Sequence, residues 1–139
     1  MKLKTEVFIL KIVIFFVSLV PIFAGLYGMV MGLFMFGVAD FIQAQGMATD
    51  SHFRYLSGLL FTIGILFWYF LPNITEHKKV ISYITLMVFI GGLNRLLFAV
   101  YYGEYSILVV LPIVMELIIT PLIYWWIVRV HKIEMRAKL

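Results

Sequence analysis

Between Val80 and Tyr102 the chain reads VISYITLMVFIGGLNRLLFAVYY, 23 residues with a single charge, Arg95. About 20 apolar residues are enough to carry a helix across a bilayer. Hydrocarbon offers no hydrogen-bond partners, so a stretch that crosses it alone must satisfy its own backbone, as a helix does. Three more apolar runs follow the same pattern, and spans are expected at about 12–35, 55–71, 80–102 and 107–128. With short connections they use nearly all of the 139 residues. The expected fold is therefore all-α, a single domain over 1–139 built as an integral membrane four-helix bundle. Composition agrees: 64% of residues are hydrophobic, 13% are charged and mean hydropathy is +1.07. Soluble domains lie near 45–50% and about 25%. The chain has no cysteine, which excludes disulfides, thiolate nucleophiles and sulfur-ligated metals.

The punctuation between the runs is specific. Lys2, Lys4 and Lys11 open the first run, which is too long for a signal peptide's apolar core of about 7–15 residues and lacks a clean cleavage site. It reads as an uncleaved first span, with Pro21, Gly25, Gly28 and Gly32 leaving room for a kink and close packing. Phe34–Ile42 is expected to leave at the far interface. Asp40 to Arg54 is the longest polar segment, with Asp40, Gln43, Gln45, Asp50, His52 and Arg54. Pro72-Asn73 stops the second span, and Gly103-Glu104-Tyr105-Ser106 reads as a tight turn. Pro112 and Pro121 fall inside the fourth span; the missing N–H of Pro112 frees the Leu108 carbonyl.

Charge sets the expected orientation. One side gathers Lys2, Lys4, Lys78, Lys79, Arg129, Lys132, Arg136 and Lys138. The other holds Arg54 against Asp40, Asp50 and Glu104. The positive-inside rule then places both termini in the cytoplasm, as an even number of spans requires. Aromatic belts agree, with Trp68, Tyr69, Tyr124, Trp125 and Trp126 at inner ends and Tyr55, Tyr101, Tyr102 and Tyr105 at outer ends. The basic balance is thus a topology signal, and no nucleic-acid partner is implied.

One polar pair stands out inside the apolar runs. Arg95 lies roughly 9 Å below the outer end of its span and Glu116 roughly 13 Å below the outer end of the next. Antiparallel neighbours joined by a short turn would bring them together, either as a buried lock between helices or as one wall of a pocket. Asn94 sits beside Arg95. Asp50, His52, Arg54 and Tyr55 mark the mouth of the second span, where two arrangements compete. Asp50 or Ser51 caps the helix while Arg54 snorkels to headgroups, or His52 and Arg54 form a polar lid over the pair. His52, His77 and His131 have no metal-ligand spacing, and no phosphate loop, nucleophile elbow or zinc motif occurs.

Three motifs carry a resemblance. They are Asp50, His52, Arg54 and Tyr55; Gly91, Gly92, Arg95 and Leu96; and Glu116, Leu117 and Pro121. Over roughly Asp50 to Val130 the chain resembles the bacterial membrane family of domain of unknown function 4345. It departs where Phe98-Ala99 stands in place of an expected serine. The resemblance implies a four-helix bundle, a relation to the DoxX-like small membrane proteins, and a shared site for His52, Arg54, Arg95 and Glu116. It implies no activity.

The function expected from these residues is that of a small multi-pass protein of the bacterial inner membrane, surrounded by lipid. Its candidate ligand-binding residues are Arg95, Glu116, Arg54, His52, Asn94 and Tyr55. They would hold a lipid-like or quinone-like amphiphile, or support a larger membrane complex. The alternative is a homo-oligomeric transporter or proton-coupled channel gated by the Arg95–Glu116 pair. An enzyme using Glu116 as acid or base has least behind it, since one carboxylate and one histidine on separate helices make no mechanism. No catalytic residue, cofactor or metal is assigned.

Overall fold

The computed structural model describes residues 2–36 and 47–137. Among them every regular element is helical, and four runs are long and apolar enough to cross a membrane. Helix α1 covers Lys2–Met31 and closes in a 3-10 turn, Gly32–Phe36. Helix α2 covers Met47–Phe70 and ends in the 3-10 turn Leu71–Asn73 at Pro72. Helix α3 is Lys78–Tyr102. Helix α4 is the run Ile107–Ala137, α-helical except for a π turn at Met115–Ile119.

The number of runs matches the expectation from sequence, while two helices start earlier and the last ends later than the expected spans. Helix α1 begins at Lys2 rather than near Ile12, α2 at Met47 rather than near Tyr55, and α4 continues through the basic tail to Ala137. Lysine and arginine are good helix formers, so charge marks where hydrocarbon could begin and not where backbone hydrogen bonding does. Residues 37–42 of the expected interfacial exit, with Asp40, Gln43 and Gln45, lie outside the described residues.

The chain divides into two compact units, one of Met1–Lys11 with Asn73–Leu139 and the other of Ile12–Pro72. In the second unit small residues bring α1 and α2 together. A side chain at Gly25 would meet the Ser57 carbonyl oxygen at 2.7 Å, Gly28 lies on the Ser57 side chain, and Gly64 faces Ile22. Helices in lipid gain no hydrophobic drive from meeting each other, so they associate where small residues let backbones approach. The Ser57 hydroxyl donates back to the Phe53 carbonyl at 2.8 Å and needs no partner across the contact. Trp68, expected in an interface belt, stacks on Phe15 with ring centroids 5.2 Å apart.

In the first unit the buried apolar residues are Leu10, Ile74, Ile81, Ile84, Ala99, Ile123, Ile127 and Val130. Gly103 takes a left-handed conformation at φ 68°, and its amide and that of Glu104 both donate to the Ala99 carbonyl. That is the tight turn expected between the third and fourth spans.

The π turn has a local cause. In a regular helix the Pro121 ring would press on the Leu117 carbonyl, and the missing N–H would leave an acceptor open. The backbone widens by one residue just ahead of the proline instead. The Thr120 amide donates to the Met115 carbonyl, and the Thr120 hydroxyl donates to the same oxygen at 2.8 Å. Glu116 lies inside this turn.

Candidate functional site

Arg95 and Glu116 meet within the first unit. Arg95 Nε donates to Glu116 Oε2 and Arg95 Nη2 to Oε1, each at 3.2 Å, a two-pronged fork between α3 and the π turn. Gly92 permits this. A Cβ there would stand 2.8 Å from the Glu116 Cβ and 2.8 Å from a Leu117 methyl carbon, so any larger residue would push α3 away. Gly91 has open space around it, and only one glycine of the pair serves close approach. The heights inferred from helical rise were therefore sufficient to find the pair.

The pair is less enclosed than a buried lock. The Arg95 side chain is 45% exposed and that of Glu116 19%. A guanidinium has five N–H donors, and the fork occupies two of them. The neighbouring surface is apolar, with Leu93, Leu97 and Phe98 exposed on α3 and Leu111 and Ile118 exposed on α4. Asn94 turns its amide to the Ile90 carbonyl of its own helix at 3.2 Å and is exposed beside Arg95.

Asp50 and Arg54 belong to the second unit and do something that neither sequence reading anticipated. Helix α2 starts at Met47, so Asp50 lies inside the first turn and neither it nor Ser51 is the cap. Arg54 Nε donates to Asp50 Oδ2 at 2.7 Å. Arg54 Nη1 donates to the Met29 and Val30 carbonyls at 2.8 and 2.7 Å. The other carboxylate oxygen, Asp50 Oδ1, accepts the Leu33 amide at 2.7 Å. The last carbonyls of a helix have no partner within it, and here a guanidinium from α2 takes two of them. Gly32 makes the connection possible. Its φ of 58° is the left-handed region, and a side chain there would collide with Asp50 and Arg54. Arg54 thus closes the end of α1, where sequence had sent it to headgroups or to a lid. His52 and Tyr55 are exposed and do not share this network's hydrogen bonds.

A third polar cluster escaped the sequence. Trp126 Nε1 donates to Glu6 Oε1 at 3.2 Å, and Arg129 Nη1 lies 3.5 Å from the same oxygen. The contact joins residues 120 positions apart. The available signal was a lone carboxylate among basic residues at the first helix's start. No group of three His, Asp or Glu side chains among the described residues is placed to hold a metal ion.

Compared with known families, residues 9–127 match the model described as Domain of unknown function (DUF4345). Neither the curated proteins nor the solved structures contain a match to this chain.

Proposed function

The chain belongs to the DUF4345 family, and from that premise we propose that it is a protein of the bacterial inner membrane whose Arg95–Glu116 pair anchors the polar end of an amphipathic small molecule, lipid-like or quinone-like. The residues ahead of the first span and those after the fourth would face the cytoplasm, where the positive-inside rule puts Lys4, Lys78, Lys79, Arg129, Lys132 and Arg136. One observation carries the reading: a guanidinium with unused donors stands 45% exposed on a surface that is apolar apart from Asn94. In hydrocarbon such donors are costly until an acceptor reaches them. Phosphate, carboxylate or quinone carbonyl oxygens would fit, with the apolar body of the molecule against Leu93, Leu97 and Ile118. Glu116 would hold the arginine in place while the ligand occupies its outer edge.

Native mass spectrometry of the detergent-extracted protein tests this. Wild type should retain an amphiphile that the Arg95→Leu/Glu116→Leu double variant loses while remaining folded. Wild type that carries nothing, or a double variant that keeps the same molecule, would overturn the reading.

A second reading draws on α4. Only 6% of its most apolar window is buried within the chain, less than for α1 or α3 at 22%. A homo-oligomer or larger membrane complex would cover that face, and a transporter gated by the pair would require one. Cross-linking in native membranes separates the two: a ladder of chain multiples supports the oligomer, and a monomer alone removes it.

A further inference from the structure

From Thr120 to Ala137 helix α4 has two distinct faces. Ile123, Ile127 and Val130 are buried at spacings of four and three. A second stripe, at spacings of three, four, three and four, runs Leu122, Trp125, Arg129, Lys132 and Arg136, and every member is exposed. Such spacing keeps all five on one side of an α-helix. The stripe is apolar up to Trp125, 61% exposed, and cationic from Arg129 onward. Glu134 lies off it, and Glu6 meets only the first of its cations.

We propose that this stripe is a docking surface for anionic phospholipid headgroups. Tryptophan prefers the boundary between hydrocarbon and headgroups, so Trp125 sets the depth. At the helical rise Arg129 stands about 6 Å beyond it, Lys132 about 10 Å and Arg136 about 16 Å. The headgroup layer is about 5–7 Å thick on each side. Arg129 therefore lies at phosphate level, already tilted toward Glu6. Lys132 and Arg136 rise above the phosphates, with Lys132 inside the screening length of about 8–10 Å and Arg136 long enough to fold back. Charge complementarity selects the partner: a row of cations with an aromatic depth marker matches an acidic bilayer surface and not a zwitterionic one. The Arg95–Glu116 pair has no part in this surface.

The experiment uses the full chain in mixed micelles of equal phosphatidylglycerol and phosphatidylcholine, with retained lipid quantified by mass spectrometry after washing at low and high salt. Wild type should enrich phosphatidylglycerol above the input ratio, and high salt should erase the enrichment. Lys132→Gln/Arg136→Gln leaves the Arg129–Glu6 contact intact and should lower the enrichment by up to roughly fivefold per cation removed. Lys4→Gln/Lys79→Gln, removing as much charge elsewhere, should lower it less. Equal retention of both lipids by wild type overturns the proposal. Equal losses in the two variants overturn it as well, since they would report a diffuse field. An acidic protein that co-purifies until high salt, with lipid ratios unchanged in Lys132→Gln/Arg136→Gln, would assign the stripe to that partner instead of lipid.

Discussion

Truncating Arg95 would strand Glu116, whose carboxylate is only 19% exposed and has its two oxygens committed to the fork. An uncompensated acceptor or charge of this kind costs about 1–3 kcal/mol. Arg95→Leu and Glu116→Leu should each lower thermal stability by that order, with Arg95→Leu the more damaging because the less exposed partner is left behind. The double substitution should recover most of the loss. Additive losses in a double-mutant cycle would mean that the fork carries no energy. Glu104 behaves differently, because it stands in the turn between α3 and α4. The Ser106 hydroxyl and then the Ser106 amide, which donates to Oε1 at 3.1 Å, hold its carboxyl below the ordinary 4.5. A carboxyl with a lowered folded value contributes stability at pH above its unfolded value, and that contribution is lost as pH falls through the folded one. Glu104→Gln should therefore flatten a small decline in stability below pH 4.5. Thermal scans across that window check it, and an unchanged slope would remove the Ser106 interaction from consideration.

At the scale of elements, α3 and α4 are held at the distance that Gly92 sets. Gly92→Ala places a methyl group 2.8 Å from Glu116 and Leu117 carbons, which is closer than real contacts come, so α3 must shift. Gly91→Ala meets nothing within 4 Å and trades a glycine for a better helix former, a gain of about 0.5–1 kcal/mol. The two neighbouring substitutions should move the melting temperature in opposite directions. If both are neutral, the helices are not packed as described. The same logic of backbone approach governs α1 and α2, where Gly25, Gly28 and Gly32 line up against Ser57 and the Asp50–Arg54 pair.

For the whole molecule the charge placement predicts which way the helices run. With eight basic residues on the side of Lys4 and Arg136 in the sequence count, a reporter fused after the last residue should be cytoplasmic, and one inserted near Met47 should be periplasmic. Protease accessibility or an alkaline phosphatase fusion reads this directly. Both reporters on one side would remove the orientation and the odd–even parity of the spans together. Between 6% and 22% of the residues in each helix's most apolar window are buried within the chain, so each helix leaves apolar residues that need covering. A surrounding bilayer would satisfy that requirement.

Apolar length and charge placement determined four helical runs, the stop at Pro72, the turn at Gly103 and the common height of Arg95 and Glu116. Each follows from one-dimensional physics: a rise per residue, a missing N–H, a left-handed turn, or a charge that resists hydrocarbon. Tertiary structure decided what those rules leave open. Sequence offered Arg54 headgroups or a lid, and only the approach of α2 to Gly32 gave it the Met29 and Val30 carbonyls. Glu6 found Trp126 and Arg129 because two distant helix ends share one compact unit. The π turn at Met115–Ile119 rotates whatever follows it by about one residue, roughly 100°. A 3.6-residue count carried through Glu116 therefore loses the face that Ile123 and Trp125 occupy. That register depends on how the backbone relieves Pro121 against its neighbours, which no count along the chain contains.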